Sequence, residues 1–150
     1  MKKLLILLFS ILISFNSYGG SPDGRGLKCE RYSGEYYPGE TIYMWFEDGF
    51  FGIPKIEGSK IIWKRYTYTE EGTKYIYFNK EQRFFNTYPF LFLKGARLNR
   101  ETLKLATIYT FLRNGRQTGT RYKCTLQYYK QWIISDLQEI INASTSSNKI

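Results

Sequence analysis

Leu27-Lys28-Cys29 near the start of the chain and Tyr122-Lys123-Cys124-Thr125-Leu126 near its end decide how everything between them is read. Leu27 shares its parity with Cys29, and Tyr122 and Leu126 share theirs with Cys124. Side chains alternate faces along a strand, so in both stretches the sulfur falls with the apolar set. Each therefore reads as a strand whose cysteine turns into a common core. The two sulfurs form one disulfide, Cys29–Cys124, which ties the first strand of a β-domain to its last. With only two cysteines in the chain, no other pairing is open. Closing a loop approaching a hundred residues contributes about 4–5 kcal/mol on the chain-entropy account.

Working outward from the cysteines, the intervening chain is a series of short aromatic runs broken by turn residues. Residues 41–47 alternate Ile42, Met44 and Phe46 against Tyr43, Trp45 and Glu47, and Asp48-Gly49 follows. Asp-Gly suits a two-residue hairpin turn, because both central positions need positive φ. That turn pairs Glu47 with Phe50, Phe46 with Phe51 and Met44 with Ile53. It also sets Trp45 over Gly52, where its ring can cover backbone. Pro54 has no amide hydrogen and marks an edge or a strand end. Residues 60–69 and 73–79 flank Glu70-Glu71-Gly72 as a second hairpin. Beyond them lie shorter apolar runs at 83–85 and 89–93, a polar turn at 99–102, a long strand at 103–112, a loop at 113–119 and a last strand at 120–127. Strands this short and regular predict a mainly β fold over residues 20–128: a small antiparallel β-barrel or β-sandwich, a meander of hairpins closed by the disulfide. Aromatic residues make up 19% of the chain, so Phe, Tyr and Trp supply more of the core than Leu or Val.

After Tyr128 the period changes. Tyr129, Ile133, Leu137, Ile140 and Ile141 recur at helical spacing, with Lys130, Gln131, Asp136 and Glu139 off that stripe. This predicts an amphipathic helix over 129–142 packed on the β-domain. Its polar face is not basic, which favours a cover for the core over a membrane-surface helix. Residues 143–150 (ASTSSNKI) read as a disordered tail. At the other end, Lys2 and Lys3, the apolar run 4–15 and the small residues Ser17 and Gly19 make residues 1–19 a signal peptide cleaved after Gly19. The run of about twelve apolar residues falls short of the roughly twenty that span a bilayer, so no transmembrane segment is expected after cleavage. The expected location is exported, periplasmic or extracellular, where a disulfide persists.

The chain contains no histidine, which removes imidazole acid–base schemes and His-based metal sites. Its cysteines are committed to the disulfide, and no phosphate-loop, dinucleotide or calcium-loop pattern occurs. No cofactor and no metal are therefore expected. The carboxylate pairs that remain, Glu47 with Asp48 and Glu70 with Glu71, sit side by side at turns and do not face each other across a substrate. No catalytic residues are assigned, and the protein does not read as an enzyme.

Charge says more. The formal net charge is +9, and residues 20–93 balance ten Lys/Arg against ten Asp/Glu. Residues 94–131 hold nine Lys/Arg against Glu101 alone, so the excess gathers on one hairpin and the turn before it. With Cys124 inward, Lys104, Arg121 and Lys123 point outward, Arg113 and Arg116 sit at the loop tip, and Arg100 at the other end. These six residues make a candidate surface for phosphate, sulfate or carboxylate groups, with Arg suited to bidentate contact. The same set also suits a solvated outer face, and the absence of aromatics interleaved with it favours that plainer reading.

The function expected is that of a small exported binding domain, monomeric, engaging an anionic envelope component through the basic hairpin. Anionic lipid, acidic glycan and acidic protein are the partner classes; nucleic acid ranks below them. Two alternatives stay open. One is a calycin-like barrel carrying a small apolar ligand in an aromatic-lined interior. The other is an inhibitor or adaptor acting through a protein interface, with exposed tyrosines such as Tyr36-Tyr37 or Tyr66 and Tyr68.

Overall fold

Alternation, turn chemistry and the cysteine seam together give a closed wall of strands in the computed structural model, which describes residues 20–34, 40–78 and 91–147. The expected signal peptide (residues 1–19), Tyr36-Tyr37, the apolar run at 83–85 and residues 148–150 lie outside the described residues. Among the described residues the strands are β1 (Arg25–Gly34), β2 (Thr41–Glu47), β3 (Phe50–Glu57), β4 (Lys60–Glu71), β5 (Tyr75–Phe78), β6 (Leu91–Asn99), β7 (Lys104–Phe111) and β8 (Gln117–Gln127). One helix, α1 (Lys130–Ser147), follows. Each strand pairs antiparallel with its neighbour in the chain, and β1 pairs with β8 to close a barrel. Pairing across that seam decides barrel over sandwich. Cys29 stands directly opposite Cys124 in it, both are buried, and the disulfide joins them.

Inward positions hold the core: Leu27 and Cys29, then Met44, Phe46 and Phe51, then Ile76, Phe78, Leu105, Tyr109 and Tyr122. The β2–β3 turn is the one the sequence asks for, with Asp48 at φ 54° and Gly49 at φ 73°. Glu47 faces Phe50, Phe46 faces Phe51 and Trp45 faces Gly52. Pairing with β2 stops there, so Met44 and Ile53 do not meet as ladder partners; β3 continues to Glu57 paired with β4. Pro54 stands just past the last pair, where its missing amide hydrogen suits the end of a ladder.

The tryptophan rings are placed differently from the sequence expectation. Trp45 lies opposite both Gly52 and Gly26, and its ring leans over Gly26: a Cβ there would come within 2.8 Å of the ring. Gly52 is covered instead by Trp63, whose ring would lie 3.1 Å from an added Cβ. Both rings are on the outside of the barrel. With Tyr43 they form a second apolar cluster, capped by Ile133 and Leu137 of α1 and flanked by Ile56 and Ile61.

Helix α1 therefore lies along the outer wall. Polar contacts fix it there: Lys28 Nζ donates to Asp136 Oδ2 at 2.8 Å and the Tyr43 hydroxyl donates to the same oxygen at 3.2 Å. Lys130 Nζ reaches Glu47 at 2.9 Å and sits 5.0 Å over the Trp63 ring. The buried stripe is Ile133, Leu137 and Ile141, whereas Tyr129 and Ile140, expected on it, are exposed. The helix also runs past residue 142, the expected end, through Ser147. Ser144, Thr145 and Ser146 each donate a side-chain hydroxyl to a carbonyl three or four residues back, which keeps this polar run within the helical turn. No helix among the described residues is long and apolar enough to cross a membrane.

Candidate functional site

Two irregularities in the ladders build the site. In β1 the register passes from Arg31 opposite Tyr122 to Ser33 opposite Arg121, leaving Tyr32 as an extra residue. A bulge of this kind re-aims a side chain. Tyr32 is 53% exposed and lines the outer face beside Arg121. In β6 the register passes from Leu93 opposite Tyr109 to Gly95 opposite Ile108, with Lys94 extra. Beyond that shift Ala96 and Leu98 take the buried positions and Arg97 faces out.

The result is two adjacent rows on the outer face. Arg97, Ala106 and Arg121 face one another across β6, β7 and β8, and Asn99, Lys104 and Lys123 form the next row. Ala106 is the small residue between two arginines, and the space above it is a cleft of about 300 Å³. Its walls are Tyr32, Tyr75, Arg97, Asn99, Thr102, Lys104 and Arg121, with Leu105 and Ala106 completing the lining. The Arg97 guanidinium lies 4.7 Å over the Tyr75 ring. A hydrogen bond to the Tyr77 hydroxyl raises its pKa further above the ordinary arginine value, burial opposes this, and the nearby Tyr77, Tyr75 and Glu71 add to the rise. Asn99 Oδ1 accepts from the amides of Glu101 and Thr102, both at 3.0 Å, which leaves its NH2 group to donate at the cleft wall.

Ion pairs distinguish these cations from six others. Lys28, Arg31, Lys55, Lys74, Arg100 and Lys130 each hold a carboxylate. Among the described residues, Arg97, Lys104, Arg121 and Lys123 hold none. Lys104 stands directly opposite Lys123, an arrangement that like charges disfavour. Glu30 is opposite Lys123 on its other side but forms no ion pair with it.

Of the six residues expected at an anion-binding surface, Lys104 and Arg121 line the cleft, and Lys123 stands opposite Lys104 on the same outer face without lining it. Arg113 and Arg116 lie in the β7–β8 loop outside the cleft, with Arg116 5.3 Å over the Phe111 ring. Arg100 is a correction: it is only 8% exposed. Its guanidinium pairs with Glu70 at 3.4 Å and donates to the Gly20 carbonyl, so it fastens the lead-in to the barrel end instead of facing solvent. The expectation that no aromatics accompany the cations is also overturned, since Tyr32 and Tyr75 line the cleft with them. Arg97 counted toward the charge excess yet gave no sign of its role, because a bulge leaves no mark in simple alternation.

Other candidate groups are accounted for elsewhere. Glu47 and Glu70, one from each carboxylate pair, are held by Lys130 and Arg100. No group of three or more potential metal-ligating residues gathers among the described residues. Tyr66 and Tyr68, expected as possible surface tyrosines, instead turn inward and pack on Phe51 and Phe46, each pair with ring centroids 5.5 Å apart. The buried Tyr109 hydroxyl finds no hydrogen-bond partner among the described residues, and burial pushes its pKa far above the ordinary phenol range. Besides Tyr32 and Phe50, the exposed aromatics among the described residues are Tyr128 and Tyr129 just before α1 and Trp132 in its first turn, with Arg25 5.2 Å over Tyr128. Comparison of the chain with protein-family models, curated proteins and solved structures finds no match.

Proposed function

We propose that this protein is an exported binding barrel whose outer cleft between β6, β7 and β8 takes an anionic group. The observation that supports this most is the cluster of Arg97, Lys104, Arg121 and Lys123, none of which forms an ion pair among the described residues, with Lys104 set directly against Lys123. A like-charge cross-strand pair lowers stability until something anionic bridges it. Arginine forks suit the oxygens of phosphate, sulfate or carboxylate, and the two flanking tyrosines give the ligand's uncharged parts a surface. The partner classes that fit are anionic lipid, acidic glycan and acidic protein. A disulfide-closed chain beginning with an export signal suits a periplasmic or extracellular location. A carrier role for an apolar ligand draws less support, because the described interior positions are occupied by side chains as large as Phe46, Phe51, Tyr109 and Tyr122.

The test is titration with inorganic phosphate and with a sulfated oligosaccharide at low and physiological salt. Affinity should fall steeply with added salt. It should drop at least tenfold in Arg97→Ser/Arg121→Ser while Arg113→Ser/Arg116→Ser stays within twofold of the parent. Equal binding by all three proteins would sink the proposal.

A further inference from the structure

Beyond the cleft, the outer face of β7 changes from charged to apolar. Its outward positions run Lys104, Ala106, Ile108 and Thr110, and Leu112 follows at the same parity. Ile108 is 46% exposed and Leu112 64%. A single exposed aliphatic residue needs no explanation. Ile108, however, stands between two glycines: its register partners are Gly95 on β6 and Gly119 on β8. Space beside Gly95 is open, since a Cβ there would meet nothing within 4 Å, and one on Gly119 would meet only the Thr107 carbonyl at 3.2 Å. The isoleucine thus projects from a low shelf, one row from Arg97 and Arg121. Leu112 projects near the far end, next to Arg113.

The charge on this face has one sign. Outward positions of β7 and β8, and of β6 from Gly95 on, include no Asp or Glu. From Lys104 to Phe111 the strand covers roughly 24 Å, and three strands give a width of about 10 Å. Cations therefore bracket two projecting aliphatic side chains on one extended face. That is the pattern of a surface that lies in the interfacial plane of an anionic bilayer, cations among the phosphates and apolar groups between the headgroups.

Resting on the reading of the cleft given above, we infer that its anionic group is the phosphate of a phospholipid presented by a membrane. In this arrangement the β6–β8 face docks flat on the bilayer. One headgroup enters the cleft at Ala106, Arg113 meets others at the loop end, and Ile108 and Leu112 insert between them. A soluble anion engages the cleft alone; a bilayer engages the cleft, the shelf and the loop together.

The experiment is co-sedimentation with phosphatidylcholine vesicles with and without 30 mol% phosphatidylglycerol, run beside titration with inorganic phosphate. The parent protein should bind the anionic vesicles and leave the neutral ones. Ile108→Ser/Leu112→Ser/Arg113→Ser changes exposed side chains outside the cleft, and its circular dichroism should match the parent. Its vesicle affinity should fall at least tenfold with phosphate binding unchanged, whereas Arg97→Ser/Arg121→Ser should lose both. If the triple variant binds vesicles like the parent while the double variant loses phosphate, the membrane inference is overturned and the cleft reading stands. Loss of vesicle binding in the triple variant, with phosphate ignored by every protein, would retain the docking face and remove the cleft reading. Failure of the parent to bind anionic vesicles overturns the inference outright.

Discussion

Replacing both cysteines, Cys29→Ala/Cys124→Ala, should destabilise the protein by an amount that the fold itself sets. The bond joins residues 95 apart in sequence. On the chain-entropy account, releasing a loop of that length costs about 4.7 kcal/mol at 25 °C. With unfolding entropy near 2.1 cal/mol/K per residue over the roughly 130 residues that would remain after the expected cleavage following Gly19, the melting temperature should fall by roughly 17 °C. The variant should still fold, because the β1–β8 ladder runs from Gly26 opposite Gln127 to Gly34 opposite Thr120 independently of the sulfurs. Urea unfolding of the parent and the variant, followed by circular dichroism and tryptophan fluorescence, measures the difference. Thiol titration of the denatured parent should find no free thiol. Two free thiols, or a stability loss under about 1 kcal/mol, would refute the reasoning, because the seam would then not be covalently closed.

Three further outcomes follow from the packing. Gly26→Ala puts a Cβ 2.8 Å from the Trp45 ring and 3.0 Å from Ile133, so it should lower stability by about 1–3 kcal/mol and loosen α1, read by urea unfolding. Lys104→Glu turns the opposed lysines into an attractive pair, so stability should rise by about 0.2–1 kcal/mol while phosphate affinity falls; loss of both would count against the cleft. The Asp136 hydrogen bond holds the Lys28 pKa above 10.5, and burial raises that of Tyr43 above 10.0. A folded-state pKa raised above its unfolded value gives stability that is fully present below the unfolded pKa and lost as pH rises through the folded one. Docking of α1 should therefore weaken above about pH 10, and Asp136→Asn should remove the Lys28 part of that dependence, followed by Trp fluorescence against pH.

The parts of this fold that depend on strict alternation were legible in the chain. Cys29 and Cys124 share an inward face, Asp48-Gly49 turns as its residues demand, and Lys104, Arg121 and Lys123 point outward together. Barrel and sandwich share the same alternation, and the two are separated by which edges pair, a long-range fact. Lys60–Glu71 is apolar on both sides, with Tyr66 and Tyr68 inward and Ile61 and Trp63 under α1, so sequence parity did not reveal which face the tyrosines take. The candidate site was half legible for a related reason. Tyr32 and Arg97 reach it through register shifts, and a single inserted residue exchanges inside for outside without altering composition or spacing. Arg100 failed in the opposite sense, since a turn residue can fold its long side chain back to a carboxylate from another strand.

Strand order in the barrel follows the chain without a single crossover, and this has a kinetic consequence. Every ladder but one joins consecutive strands and can form as a local hairpin or a short-range pairing, whereas β1 must wait for β8. The entropy of bringing distant segments together is thus concentrated in one late event. The thiols at 29 and 124 stay apart until the final strand lands, so the moment at which they are consumed dates the completion of the wall.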